Sequence, residues 1–141
     1  MADLDIRAIR EWLATQAASA TGVTRALSYQ PKKVEAADLP LVTIGNPETI
    51  KYNRTFGTGK ATITLTVTAL VSEALDPEEG TTLLDDFVSI ATSSLVAQLR
   101  NEQSSVSVPW LSNVTDAENY GLFKAESSTY YGVQLVVVVT T

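Results

Sequence analysis

The segment Lys60 to Val71, KATITLTVTALV, constrains the fold more than any other stretch of the chain. Ala61, Ile63, Leu65, Val67, Ala69 and Val71 share one parity, and Thr62, Thr64, Thr66 and Thr68 share the other. Successive strand side chains point to opposite sides, so the pattern predicts one long strand with an apolar face and a threonine face. The threonine face is unusual, because a freely wet sheet face normally carries Lys and Glu as well. A neutral, hydroxyl-lined face suits contact with a second subunit or the lining of a lumen. It also suits plain solvent, since threonine is a good strand former.

Two helical stretches would cover the apolar face. From Asp3 to Ala20, the residues Ile6, Ile9, Leu13, Ala17 and Ala20 recur at three- and four-residue spacing, with Trp12 at the edge of the stripe. Asp3 is placed to cap this helix and Gly22 to end it. The second helix is expected from Pro77 to Arg100, longer than the first. Asp76 would cap it, Pro77 would take its first position, and Glu78 and Glu79 would favour the positive end of its dipole. Its buried stripe reads Leu84, Phe87, Val88, Ala91, Leu95 and Leu99.

The remaining strands are shorter or less regular. Thr24 to Tyr29 and Leu41 to Ile44 read as short strands, separated by a polar loop between Pro31 and Pro40. Residues 48–60, ETIKYNRTFGTGK, read as an extended hairpin arm feeding the long strand. Trp110 to Ala117 is a further strand, followed by a polar turn around Asn119, Tyr120 and Gly121. In the last strand, Tyr130 to Thr140, Tyr131, Val133, Leu135, Val137 and Val139 share a face. Val136 and Val138 make the other face apolar too, which implies a central or covered strand. The order predicts an α+β fold: a mostly antiparallel sheet with both helices packed on one face. Residues 1–141 are read as a single domain, as their number allows.

The charges are polarised within a net charge of −6. Residues 21–60 are net basic, whereas residues 73–86 carry six carboxylates and no base. That asymmetry suits a head-to-tail contact between identical subunits, or two ordinary solvated faces. In the contact reading, Lys51, Tyr52, Arg54, Phe56 and Lys60 on the arm meet Asp76, Glu78 and Glu79 on a neighbour. Aromatic and arginine side chains are common interface anchors; the alternative is that Tyr52 and Phe56 fold back onto the core.

The chemistry of catalysis is sparse. The chain has no His and no Cys, which removes the usual general base, the thiolate nucleophile and most transition-metal sites. GTGKA at Gly57 to Ala61 fails as a phosphate loop, with Arg54 where the first glycine belongs and Ala61 where a magnesium-holding hydroxyl belongs. The pairs Glu78-Glu79 and Asp85-Asp86 diverge by about 100° on a helix, so neither converges on one atom. The expectation is a protein without catalytic residues, cofactor or metal. The acidic balance argues against wrapping nucleic acid. No apolar run approaches the roughly 20 residues that span a bilayer, and the N-terminus lacks the pattern of a signal peptide.

Several pieces occur in a familiar order. A short N-terminal helix precedes the proline-flanked strand LPLVTI, and a basic hairpin with Arg54 feeds the long alternating strand. The acid-capped helix DPEEGTTLLDDFVSIATSSLVAQL follows, then WLSNVTDA and the ending SSTYYGVQLVVVV. Over nearly its whole length the chain resembles the tail terminator proteins of long-tailed, non-contractile bacteriophages. The unit from Ala61 to Leu99 and the ending from Tyr130 to Val139 carry most of that resemblance. It implies a hexameric ring that caps the finished tail tube, stops its polymerisation and presents a surface to the head connector. The implied partners are copies of the chain, the tail tube protein and a neck protein, with DNA only passing through the lumen. The implied location is the virion tail, assembled in the host cytoplasm. A tail tube subunit, a head–tail completion protein of the neck, and a small acidic binding module are the competing readings.

Overall fold

The computed structural model describes residues 5–29, 39–52, 61–73, 77–90, 93–103, 108–125 and 128–141. In chain order its elements are α1 (Ile6–Ala18), β1 (Arg25–Leu27), β2 (Leu41–Tyr52), β3 (Ala61–Glu73), α2 (Pro77–Val88), α3 (Leu95–Gln98), β4 (Leu111–Ala125) and β5 (Ser128–Thr140). The strands form one sheet in the order β1-β2-β3-β5-β4. Among the described residues, β1 and β2 pair in parallel, and the other three pairings are antiparallel. The architecture is α+β with a mixed, mostly antiparallel sheet. The alternating threonine segment forms β3, the middle strand of the five.

The alternation of β3 sets the core. Ile63, Leu65, Val67 and Ala69 have no exposed surface, and in register beside them lie Val139, Val137, Leu135 and Val133 of β5, equally buried. Ile9 and Leu13 of α1, Leu84 and Phe87 of α2, and Leu95 of α3 with Leu99 just after it join them in one cluster. Each such side chain contributes about 1.5–3 kcal/mol on full burial, so this layer dominates the stability of the fold. Trp12 of α1 meets Trp110 edge to face, with ring centroids 6.1 Å apart, and the pair closes the core near the start of β4.

Local chemistry departs from the sequence expectation in four places. The first helix starts at Ile6, capped by Asp5, whose carboxylate accepts from the Ala8 amide at 3.0 Å; Asp3 lies outside the described residues. Gly22 does take a left-handed backbone, at φ 91°, in the turn that follows.

The second helix is not the longer one. It stops at Val88, after 12 residues against 13 in α1, and a separate turn of helix resumes at Leu95. Between them the sequence is SIATSS. Ser89 donates both its amide, at 3.0 Å, and its hydroxyl, at 2.5 Å, to the Asp85 carbonyl, and Ser94 accepts from the Ala97 amide to cap the new start. Pro77 does hold the first position of α2, while Asp76 and Ala91 lie outside the described residues.

The short strand expected at Leu41 to Ile44 runs on to Tyr52. It passes Gly45, Asn46 and Pro47 through register shifts between Ile44, Pro47 and Thr49. Gly45 permits this because a Cβ there would lie 2.8 Å from the Thr66 carbonyl oxygen. Residues 49–52 are therefore paired sheet, in register with Thr64 to Ala61, and only 53–60 of the expected arm lie outside the described residues.

Asn119, Tyr120 and Gly121 are not a turn between strands. They form an irregularity within β4, with Asn119 at φ 52° and Gly121 at φ 139°, and the strand continues to Ala125. A short polar stretch with a glycine fits a bulge as well as a turn.

Candidate functional site, an open sheet face

The threonines of β3 point away from the helices, and the register builds the rest of that face around them. Lys51, Thr62, Thr140 and Leu111 form one row across β2, β3, β5 and β4. Thr49, Thr64, Val138 and Asn113 form the next, and Thr66, Val136 and Asp116 the third. Thr68 and Gln134 follow, beside the buried Thr43 of β2. Thr62, Thr64, Thr66, Thr68, Val136 and Val138 are all half-buried. The described helices pack on the opposite side, so no described helix covers these rows.

One end of the same face is closed. Leu41, Leu70 and Tyr130 are buried there, outside the main core cluster. Leu41 and Leu70 are register partners on β2 and β3, and Gly132 of β5 continues that row. Alternation in β3 shows Leu70 on the threonine parity, but the pairing of Leu41 with it requires the strand register.

The face is not neutral, as the sequence suggested. The register shift around Pro47 places Glu48 on this side, where it accepts the Thr66 hydroxyl at 2.5 Å. Lys51 and Asp116 stand on it too, both exposed. Sequence reading placed Glu48 at the base of an arm and missed it, because a bulge inverts the alternation that assigns faces. Thr115, in the irregularity of β4, donates to the Asp116 carboxylate at 3.1 Å and to the Val136 carbonyl at 3.4 Å. The Asn119 amide donates to Gln134 at 2.5 Å.

At the edge of β4 the face runs into a cleft of about 380 Å³ whose lining includes Leu111, Asn113, Val138, Thr140 and Arg100. Asn101 and Ser112 exchange backbone hydrogen bonds at 3.0 and 2.9 Å, capping the first residues of that edge. Arg100 pairs with Glu102 at 2.9 Å on the rim, where an exposed ion pair contributes little. On the helix side, Tyr120 donates its hydroxyl to Asp85 and ties α2 to β4. Burial and then the Asp85 carboxylate push the Tyr120 hydroxyl pKa well above the usual phenol value.

The expected interface residues divide between the two layers. Lys51 is on the open face, and Tyr52, next to it, is 70% exposed. Glu78 is exposed in the first turn of α2, in the helix layer, so Lys51 and Glu78 lie on opposite sides of the sheet. Glu79 belongs to α2, and Arg54, Phe56, Lys60 and Asp76 lie outside the described residues. Among the described residues no group of three or more acidic side chains is placed to hold a metal ion, and no helix is long and apolar enough to cross a membrane. No protein-family model matches the chain, and no curated protein matches it in sequence.

Proposed function

We propose that this chain is a structural subunit of a long-tailed bacteriophage, forming a ring that caps the tail tube, ends its polymerisation and joins the tail to the head. The observation that carries the reading is the one-sided sheet. Its helices gather on one face, while half-buried Val136 and Val138 and the threonine row of β3 face outward uncovered by any described helix. A subunit that ends a polymer must match the growing end on one surface and withhold that surface on the other. A fold with one closed and one open layer is suited to that asymmetry.

The order of elements adds the family resemblance, which implies six copies around a lumen. The acidic balance of the chain fits a lumen through which DNA passes, since phosphate binding rests on Lys and Arg. In this reading the partners are copies of the chain, the tube protein and a neck protein. Assembly of phage lacking the chain tests it. Overlong tubes that never join heads support the capping role, normal-length tails on leaky heads assign the chain to the neck, and normal infectious particles refute both.

A further inference from the structure

The open face carries a charge pattern that is complementary to itself. Lys51 and Glu48 both come from β2 and stand at opposite ends of the uncovered rows, Lys51 beside Thr62 and Glu48 on Thr66. Thr64 lies midway between them. A half-turn about an in-plane axis crossing the strands at Thr64 sets Lys51 over Glu48 of a second copy, and Glu48 over that copy's Lys51. The other in-plane half-turn, about an axis along the strands, lays β2 over β4 instead. It brings Glu48 onto Asp116, which shares this face through its pairing with Val136. Like charges in contact disfavour that arrangement.

We propose that the open face pairs with the same face of a second copy of this chain, about the axis through Thr64. The contact is isologous, and each copy supplies both halves of two symmetric ion pairs. Val138 shares the Thr64 row, so it lies on the axis and meets itself in a patch of small β-branched side chains. Such sheets stack with their strands nearly aligned. Glu48 keeps its bond from Thr66 and still has acceptor capacity for a lysine, since a carboxylate offers about four lone-pair sites.

Size decides the strength. Three rows at about 6.7 Å and four strands at about 4.8 Å span roughly 400 Å² on each copy. A stable pair needs about 800 Å² from each partner, so this one is weak and concentration-dependent. The pairing goes beyond the capping role and does not rest on it.

Analytical ultracentrifugation of the full chain between about 10 μM and about 1 mM tests the proposal, a range that weak contacts of this size occupy. The expected result is a mass that climbs from one chain toward two. Lys51→Glu and Glu48→Lys each weaken the pair about tenfold, because both symmetric contacts become repulsive. The double variant restores it, and Val138→Lys abolishes it while circular dichroism and the unfolding midpoint show an intact fold. A single-chain mass throughout overturns the proposal, and so does a pair that survives Val138→Lys. A double variant no tighter than the single ones removes the proposed axis. A six-chain species lost in Val138→Lys also overturns it, because a six-fold ring joins head to tail; that outcome leaves the capping role standing, whereas normal tails in the deletion phage remove the capping role and leave the pair.

Discussion

Leu65→Ala tests the assignment of the two sheet faces. Leu65 has no exposed surface, sits in the central strand, and has Pro47 of β2 and Val137 of β5 as its register partners. The substitution removes three carbons, worth about 2.4 kcal/mol of transfer free energy at 0.8 kcal/mol each. The cavity left in a rigid sheet adds to this, so the expected loss is about 3–4 kcal/mol, inside the range of measured Leu→Ala changes. With an unfolding entropy near 2.1 cal/mol/K per residue, the 141 residues give about 0.30 kcal/mol/K, and the melting temperature should fall by about 10–13 °C. Thr64→Ala is the control, one residue away on the other face, and should cost under about 1 kcal/mol. Urea unfolding followed by circular dichroism measures both, with unchanged m-values showing that the unfolding transition is the same. Equal losses at the two positions, or a silent Leu65→Ala, would refute the assignment of helix side and open side.

Gly45→Ala should destabilise by about 1–3 kcal/mol in the same assay, because its Cβ would meet the Thr66 carbonyl oxygen at 2.8 Å and backbone has to move. Asp5→Ala should cost about 1 kcal/mol through the lost cap on the Ala8 amide, Asp5→Asn much less, and amide exchange should localise the effect to the first turn of α1. The raised Tyr120 pKa implies stability that is fully present below the unfolded phenol value of about 10 and is lost as the pH rises above it, since only the unfolded chain then releases the proton. Urea midpoints at pH 8 and pH 10.5 should therefore diverge more in the wild type than in Tyr120→Phe.

The elements written in a single period were legible in the sequence. β3 announces itself by strict alternation, β5 by a run apolar on both parities toward its end, and the buried stripes of α1 and α2 by three- and four-residue spacing. What escaped was whatever breaks a period. Gly45, Asn46 and Pro47 look like a stop, yet a strand can continue through a bulge if glycine admits the neighbouring carbonyl, and that depends on Thr66, 21 positions away. The same bulge turned Glu48 onto the threonine face. The helix stripe ran through SIATSS without interruption in its apolar spacing, while the Ser94 hydroxyl that caps α3 acts on the backbone, where the spacing carries no signal. For the candidate site, the threonine parity was visible from the start, and its neighbours Val138, Val136 and Lys51 were assigned to it only by the strand register.

That register also explains why the face tolerates both water and cover. The threonine hydroxyls suit water, and Thr66 already donates to Glu48, so that one keeps its partner under cover. Val136 and Val138 supply the gain. Two copies of a patch of about 400 Å², taken at the apolar share of about 57% usual for protein interfaces, remove roughly 450 Å² of apolar surface from water and contribute about 11 kcal/mol. Lost translational and rotational freedom opposes this with about 4–15 kcal/mol. The two terms nearly cancel for a pair of free chains. They do not cancel once a subunit is held by a second surface, because the contact then forms at an effective concentration in the millimolar range. A face of threonines and small valines is thus weak between free chains and tightens only where a second contact already holds the two copies together.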